Sequence, residues 1–407
     1  MKPIPFSPPR IDQKTIDAVT EVLLSGWITT GPKTRELEKR INEYCGSQRT
    51  LCLNAWTNAV ELVLRWYGVG PGDEVIVPAY TYSATANIVL HVGAKPIMVD
   101  VEVGKFTIDT AQIEKHITSA TKVIMPVDIG GMPCDYDFIM QLVQQSDVKA
   151  RFNPANERQK QLGRILVISD AAHSFGATYK GQKVGPQADV MGFSFHAVKN
   201  LTTAEGGAIT FNLPAPFDND EVWKSINISA LHGQTKDALS KTQAGQWRYD
   251  IVEAGFKCNM TDIQAAIGMV ELERYDNDTL IRRKAICMQY NARFSSQQWF
   301  TPPLFETSAS ESCYHLYMLH VTSLSEAQRD EVIRLAAEKG IALNVHFQPL
   351  PLLSLYKGLG YSMNDYPNAW KQYASEISLP VYYNLSDEDV NRVADEVIAA
   401  VNSVLGV

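Results

Sequence analysis

Short apolar runs alternate with longer amphipathic stretches over much of the chain. The runs are rich in valine and isoleucine and span residues 74–77, 96–101, 122–127 and 165–168. Runs of this length, bounded by turn residues, are typical of strands, and the stretches between them have the apolar spacing of helices. The alternation predicts an α/β fold in which a mostly parallel sheet is wound with helices.

The same pattern divides the chain into three parts. Residues 1–14 are rich in proline and predict an extended arm, and residues 15–275 carry the strand–helix alternation of a large domain. Residues 276–407 carry longer helices and few strands, so we expect a smaller C-terminal domain there. Between Asp135 and Asp170, a polar and charged insert around residues 149–154 predicts a surface loop.

Composition narrows the class of protein. The 407 residues are 45% hydrophobic and 20% charged, which is enough for two globular domains. A net charge of -8 argues against general affinity for nucleic acids, and no apolar run is long enough to span a bilayer. The six cysteines are scattered without a CxxC pair, no signal-like segment follows a basic start, and no helical histidine pair indicates a metal site. We therefore expect a cytoplasmic protein with reduced thiols.

One aspartate and one lysine are candidate catalytic residues. Asp170 follows the apolar run at 165–168, so we expect it at the carboxyl end of a buried strand, where open α/β sheets bind ligands. Lys199 lies between an aromatic-flanked serine and a glycine pair, and a lysine amine condenses with an aldehyde only when it is deprotonated in a dry pocket. Each residue alone is more often a surface charge or a turn residue. Together they indicate pyridoxal phosphate chemistry, in which a carboxylate pairs with the ring nitrogen.

Several separated motifs occur in the order of one known family. They lie at residues 27–32, 77–82, 170–173, 194–207, 259–268 and 345–347. Through them, nearly the whole chain resembles the DegT/DnrJ/EryC1/StrS family of pyridoxal phosphate-dependent nucleotide-sugar aminotransferases. The resemblance implies fold type I, with a mostly parallel seven-stranded sheet flanked by helices and a smaller C-terminal α/β domain. It also implies pyridoxal 5′-phosphate as cofactor, with Lys199 as its covalent anchor and catalytic base and Asp170 on its ring nitrogen.

The phosphate of that cofactor is expected at the start of a helix. The apolar spacing between residues 59 and 66 predicts a helix that begins at Trp56 and Thr57, where free backbone amides favour an anion. Trp56 stands where the family usually has glycine, and Thr57 could also serve as an ordinary helix cap. By resemblance, Ser194 is the second phosphate ligand.

The resemblance gives roles to three further residues. Tyr82 would stack on the cofactor ring, although a tyrosine at this position could equally be a packing residue. His173 would form a hydrogen bond to the phenolic oxygen of the cofactor. Asn259 precedes a predicted capping box of Thr261 and Gln264 and would reach the phosphate bound by the other subunit. This last role implies a homodimer with shared active sites.

The resemblance also implies a reaction. An amino acid, L-glutamate by family analogy, would give its amino group to a nucleotide-linked keto-sugar in surface polysaccharide or glycan biosynthesis. The motif at 194–207 is most similar to the branch that aminates C4 of UDP-linked sugars, so we expect a UDP-4-keto-6-deoxy sugar. Candidate substrate residues, each of which could equally be a turn or packing residue, are Thr29, Thr30, Tyr314 and His346.

Three positions besides Trp56 depart from the family's pattern, and the insert between Asp135 and Asp170 makes that segment longer than is usual in the family. Two other functions remain open. Asp128 stands where histidine is common, Ala204 where many members have glycine, and Pro351 where a histidine often follows Pro-Leu. One alternative is a pyridoxal phosphate-dependent sugar dehydratase, in which histidine typically replaces the lysine, so Lys199 argues against it. The other is a non-catalytic regulatory member of the same fold, which predicts a damaged cofactor site.

Overall fold

The computed structural model describes residues 2–236 and 248–407. The helices in these residues are α1 (Gln13–Ser25), α2 (Pro32–Cys45), α3 (Trp56–Tyr67), α4 (Ala84–His91), α5 (Thr110–Ile113), α6 (Tyr136–Leu142), α7 (Ser146–Arg151), α8 (Glu157–Leu162), α9 (Asn219–Ala230), α10 (Asp262–Arg274), α11 (Leu280–Phe294), α12 (Glu326–Glu338), α13 (Ser354–Gly358), α14 (Pro367–Ser375) and α15 (Asp387–Leu405). The strands are β1 (Arg49–Leu53), β2 (Glu74–Pro78), β3 (Lys95–Val99), β4 (Thr121–Ile124), β5 (Leu166–Asp170), β6 (Thr178–Tyr179), β7 (Gln182–Lys183), β8 (Val190–Ser194), β9 (Gly207–Phe211), β10 (Ser310–Glu311), β11 (Tyr317–His320) and β12 (Glu376–Leu379). None of these helices is long and apolar enough to cross a membrane.

The central sheet has seven strands in the order β1-β9-β8-β5-β4-β2-β3. Strand β9 runs antiparallel to its neighbours β1 and β8, and the other neighbouring pairs are parallel. Two small antiparallel sheets, β10-β6-β7 and β11-β12, complete the strands of the described residues. The α/β fold and the mostly parallel seven-stranded sheet are therefore confirmed.

Successive residues of the central strands pack on opposite faces of the sheet. Val75 and Val77 of β2 belong to one apolar core, which includes most of α3, whereas Ile76 belongs to a second core on the other face. Because both faces are covered, the strands appear in the sequence as continuous apolar runs without polar alternation. The helical face predicted within residues 59–66 is also buried.

A third apolar core lies in the C-terminal part of the chain. Its members come from residues 286–401, together with Ile4 from the N-terminal segment. The N–H of Ile4 donates to Gly340 O at 2.8 Å, and Ala342 N–H donates to Ile4 O at 3.0 Å. The N-terminal segment is thus attached to this core by backbone hydrogen bonds. The predicted limits of the arm and the two domains stay predictions.

The insert between Asp135 and Asp170 is mostly helical, so its interpretation as a surface loop is wrong except for residues 152–156, which connect two helices. It forms α6, α7 and α8, and it satisfies carbonyl groups at the C-terminus of α3. Asn156 Nδ2 and Gln159 Nε2 both donate to Tyr67 O, at 3.0 and 3.1 Å. A helix end leaves carbonyls without intrahelical partners, and these side chains supply them. The insert is therefore part of the packed structure.

Candidate active site

A cavity of about 400 Å³ opens where β5 and β8 end and α3 begins. Parallel strands of an α/β sheet place their carboxyl ends at one edge, which is where such folds bind ligands. Polar side chains from separate motifs converge there. The predicted site residues that line the cavity are Trp56, Thr57, Tyr82, Asp170, His173, Ser194, Lys199 and His346.

Asp170 is a buried carboxyl group at the end of β5. Thr85 Oγ1 donates to its Oδ2 at 2.7 Å, and Ala172 N–H donates to its Oδ1 at 3.2 Å. Burial raises the pKa of Asp170 to about 6, while these hydrogen bonds and the nearby Lys199 amine partly offset that rise. The carboxylate is thus placed to pair with a cation inside the cavity.

Lys199 lies in the loop that follows β8, with its side chain directed into the cavity. Its backbone N–H donates to His196 O at 2.9 Å, which fixes the turn. Desolvation lowers the pKa of the amine to about 8, and the attraction of Asp170 limits the decrease. About a tenth of this amine is therefore uncharged and nucleophilic at pH 7, far more than for an ordinary lysine.

The N-terminus of α3 offers an anion-binding end to the cavity. Ala55, Trp56 and Thr57 line the cavity there, and Ala55 precedes the helix without capping it through a side chain. The amides of the first turn are therefore available to a phosphate, and the helix dipole favours its charge. Ser194, at the end of β8, lies at the same cavity.

Trp56 occupies its position without a left-handed backbone, because it lies within the first turn of α3 and is absent from the residues with positive φ. Its indole Nε1 donates to Gly192 O at 3.1 Å, and the ring is buried. A Cβ on Gly192 would lie 2.6 Å from this Nε1. The tryptophan that replaces the family's glycine thus packs against β8 and leaves its amide at the helix start.

Two histidines meet in the cavity, and their partners fix their tautomers. Gly130 N–H donates to His173 Nδ1 at 3.2 Å, so the His173 proton stands on Nε2. His315 Nδ1 lies 2.7 Å from Asn200 Oδ1. The Asn200 amide nitrogen donates to Cys313 O at 2.9 Å, so Asn200 Oδ1 is an acceptor and His315 Nδ1 carries the proton. The two rings are 4.4 Å apart, and desolvation lowers the pKa of both, so they are uncharged.

Tyr82 lies at the mouth of the cavity with 60% of its surface exposed. Its ring is 5.6 Å from Phe347, which also lines the cavity. An aromatic pair at the opening provides a flat apolar surface for a planar ligand. The stacking role of Tyr82 stays a prediction.

The remaining predicted site residues do not line the described cavity of their own chain. Asn259 Nδ2 donates to Thr30 Oγ1 at 2.5 Å, and the Thr30 hydroxyl donates to Met260 O at 2.5 Å. Thr29 joins the same cluster, since its carbonyl accepts from Asp262 N–H. Tyr314 is buried and its hydroxyl donates to Glu311 at 2.9 Å, away from the cavity. The roles of these residues stay predictions, and the capping box of α10 is confirmed.

Several cavity residues were not found from the sequence. They are His315, Phe347 and, from the N-terminal segment, Phe6 and Ser7. The sequence also did not predict Thr85, which contacts Asp170 from outside the cavity lining. His315 directly follows the predicted Tyr314, so the predicted segment does reach the cavity, but through the neighbouring side chain. Thr85 lies within the α4 helix, one turn from Thr81, and its Oγ1 is 2.9 Å from Thr81 Oγ1.

Two departures from the family's pattern have a structural explanation. Asp128 is fully buried and accepts from Tyr136 Oη and Ser174 Oγ, both at 2.7 Å. It lies next to the turn whose Gly130 binds His173, so it supports that turn. Ala204 is exposed at φ 69°, a conformation that favours glycine.

The family model for the DegT/DnrJ/EryC1/StrS aminotransferase family matches residues 9–398. The chain belongs to this family. The fold, the aminotransferase activity and the dependence on pyridoxal phosphate that the motifs implied are thereby confirmed, and the chain is a sugar aminotransferase.

Relatives of this DegT/DnrJ/EryC1/StrS member match over almost their whole length. The spore coat polysaccharide biosynthesis protein SpsC of Bacillus subtilis is 36% identical over 406 residues, which cover 99% of the chain and 97% of SpsC. The UDP-4-amino-4-deoxy-L-arabinose–oxoglutarate aminotransferase of Shewanella sediminis is 34% identical over 99% of the chain and 98% of the relative. The putative sugar aminotransferase Spr1654 of Streptococcus pneumoniae, in its PLP-form, superposes with a TM-score of 0.94 at 45% identity, covering 99% of the chain and 100% of Spr1654.

The cavity of this family member suits its cofactor. It combines a desolvated amine at Lys199, a buried carboxyl group at Asp170 and the free amides at the start of α3. These groups fit an aldehyde, a ring nitrogen and a phosphate respectively. The structure therefore offers partners for each reactive part of pyridoxal phosphate.

Proposed function

We propose that the chain transfers the amino group of L-glutamate to a UDP-4-keto-6-deoxy sugar. The observation that carries the proposal is the placement of Lys199, Asp170 and the start of α3 around one cavity. The name of the Shewanella sediminis relative supports a UDP-linked 4-keto sugar as acceptor and glutamate as donor, because it contains a UDP-linked 4-amino sugar and oxoglutarate, the keto acid that glutamate leaves behind. The name of SpsC supports a role in surface polysaccharide or glycan biosynthesis.

Lys199 is the residue that moves protons in this proposal. Bound pyridoxal phosphate supplies the aldehyde that receives the amino group and the ring that takes up electron density. Lys199 Nζ holds and moves the proton that leaves the α-carbon of the amino donor. A pKa of about 8 suits this task, because the amine can both accept and return a proton near neutral pH.

The residues around Lys199 orient the cofactor. The Asp170 carboxylate would hold the ring nitrogen, and His173 Nε2–H would donate to the phenolic oxygen. Ser194 and the amides at Trp56 and Thr57 would bind the phosphate. Tyr82 would cover one face of the ring and exclude water.

The same proposal includes a homodimer in which each active site is built from two chains. Asn259, Thr29 and Thr30 form one cluster that does not reach the described cavity of their own chain, which supports a role at the partner's cavity. Large apolar side chains are exposed beside the mouth of the cavity, including Tyr82 and Val198. Exposed apolar surface around a functional cavity is typical of an interface.

Mixed dimers test the shared sites. Chains carrying Lys199→Ala are refolded or co-expressed with chains carrying Asn259→Asp. If Asn259 serves the partner's cavity, a mixed dimer has one site with intact Lys199 and intact Asn259, and activity is recovered well above either parent. No recovery in mixed dimers of confirmed composition would contradict the shared site.

Product analysis tests the reaction. The protein is incubated with glutamate and UDP-4-keto-6-deoxy sugars, and the sugar product is identified by mass spectrometry. We expect an amino sugar, no product with Lys199→Ala, and normal product with Lys180→Ala, which changes an exposed lysine outside this cavity. A dehydrated sugar in place of the amino sugar would favour the dehydratase alternative, and bound cofactor without any turnover would favour a non-catalytic member.

A further inference from the structure

His346 is a cavity histidine whose tautomer is not fixed by its partner. His173 and His315 are held by groups that can only donate or only accept, as described above. His346 Nδ1 instead lies 2.9 Å from Ser378 Oγ, a hydroxyl that can do either. The tautomer of His346 therefore depends on the direction in which the Ser378 hydroxyl donates.

That hydroxyl contacts a buried carboxyl group. Ser378 Oγ is 2.5 Å from Oε1 of Glu376, two residues earlier on β12. The other oxygen, Glu376 Oε2, accepts the backbone N–H of His346 at 3.0 Å. Because Oε2 already has an N–H donor, a proton on this carboxyl group stands on Oε1, next to the serine. Glu376 is fully buried, so this proton is shielded from solvent.

The segment around His346 is held from two other sides. Tyr80 Oη donates to His346 O at 2.7 Å, and the ring of Phe6 stacks on the imidazole with 5.2 Å between ring centres. Since Ser378 contacts Nδ1, the nitrogen left for the cavity is Nε2. Lys199 lines the same cavity and acts electrostatically on His346.

We propose that Glu376 and Ser378 are positioning residues that set the tautomer of His346 through a two-step proton relay. When Glu376 is protonated, it donates to Ser378, Ser378 donates to His346 Nδ1, and the imidazole proton stands on Nε2. When Nε2 releases this proton to the cavity, the Ser378 proton moves to Nδ1 and the Glu376 proton moves to Ser378. The relay loses one proton in total, and His346 changes from a donor to an acceptor toward the cavity while staying neutral.

Burial places this change near neutral pH. Desolvation raises the pKa of Glu376 to about 8 and lowers the pKa of His346 to about 3. Arg329 lowers the pKa of Glu376, and Lys199 lowers that of His346, but burial is the larger cause in both cases. The titratable groups that face the pair from the neighbouring elements are Arg329 of α12, Tyr373 of α14, His320 of β11, Tyr80 after β2, and Lys199, His173 and His315 at the cavity.

The use of this relay rests on the proposed function. As a donor, His346 Nε2 suits a carbonyl or carboxylate oxygen of a substrate, and as an acceptor it suits a hydroxyl group. The relay thus links substrate recognition at His346 to the protonation of Glu376. Its test needs neither glutamate nor a sugar, so the relay and the proposed function can fail separately.

Histidine tautomers can be measured directly in the full-length protein. Carbon-13 spectra of protein containing labelled histidine are recorded about two pH units below and above the Glu376 pKa of about 8. The Cδ2 shift separates the two neutral tautomers, and the His346 signal is the one lost in His346→Asn. We expect the Nε2–H tautomer at the lower pH and the Nδ1–H tautomer at the higher pH.

Two variants and one control variant test whether Glu376 and Ser378 set the tautomer of His346. In Glu376→Gln, the amide oxygen accepts from His346 N–H and the amide nitrogen faces Ser378, so His346 should stay in the Nε2–H tautomer at both pH values. Ser378→Ala, which removes a single atom, should also abolish the step, whereas Ser375→Ala changes a nearby buried serine that contacts His320 and should retain it. A His346 signal that does not change tautomer in the unmodified protein, or a step that survives both Glu376→Gln and Ser378→Ala, overturns the relay.

Discussion

Thr85 offers a specific way to perturb the cofactor site. Its hydroxyl donates to Asp170 Oδ2 at 2.7 Å in a buried position. A hydrogen bond to an ionised group contributes about 1.5–3 kcal/mol, compared with about 0.5–1.5 kcal/mol for a neutral pair. The difference, about 1–1.5 kcal/mol, favours the ionised carboxyl group and corresponds to about one pKa unit. We therefore expect Thr85→Val to raise the pKa of Asp170 above its present value of about 6 by about one unit.

The assay is the pH dependence of pyridoxamine phosphate binding, measured by calorimetry. This form lacks the aldehyde, so Lys199 does not react with it. Because the ionised Asp170 binds the protonated ring nitrogen, affinity is full above the pKa of Asp170 and is lost as pH falls through it. Thr85→Val should move this loss upward by about one pH unit, which makes binding about fivefold weaker near pH 6 and almost unchanged near pH 8.

Thr85→Ser is the matched control, because it retains the donor and should bind like the unmodified protein. An equal loss of affinity at both pH values would mean that Thr85 acts through packing alone. Unchanged binding at both pH values would refute the reasoning, since the hydrogen bond would then have no effect on the charge of Asp170.

Three further changes test other parts of the structure. Gly207→Ala would place a Cβ 2.6 Å from the Ala55 carbonyl carbon and displace the start of α3. We therefore expect the affinity for the cofactor to fall by at least about tenfold. Cofactor binding within about twofold of the unmodified protein would argue against a phosphate site at this helix start. Asn156→Ala removes the cap of α8 and the bond to Tyr67 O, and should lower the free energy of unfolding by about 1–2 kcal/mol in chemical denaturation without affecting cofactor binding. Ala204→Gly relieves the steric strain of an alanine held at positive φ, so we expect it to raise the free energy of unfolding by about 0.5–1 kcal/mol. A lower free energy of unfolding would contradict this strain.

Local sequence patterns predicted the central sheet and the two residues on which the site depends. The strands are continuous apolar runs because both faces of the sheet are covered, and Asp170 ends one of these runs. Lys199 was found because its neighbours form a motif within a few residues. In each case the informative positions are adjacent in the chain.

The positions that the sequence did not yield depend on contacts between distant segments. Thr85 meets Asp170 across 85 positions, and Ser378 meets His346 across 32 positions. The hydrophobic periodicity of a local segment does not reveal which of its side chains makes such a long-range contact. The helical insert carries a local signal in the sequence, because Asn156 caps α8 and Gln159 follows three positions later, which is the spacing of a capping box at a helix start.

The visible absorbance of the purified, cofactor-loaded protein tests the central claim most directly. The cofactor joined to Lys199 is yellow, and the form that carries the amino group is not. We predict that L-glutamate bleaches the colour and that a UDP-4-keto-6-deoxy sugar restores it. A yellow protein whose spectrum does not respond to glutamate would contradict the proposed donor, and bleaching that no nucleotide-linked keto-sugar reverses would contradict the proposed acceptor.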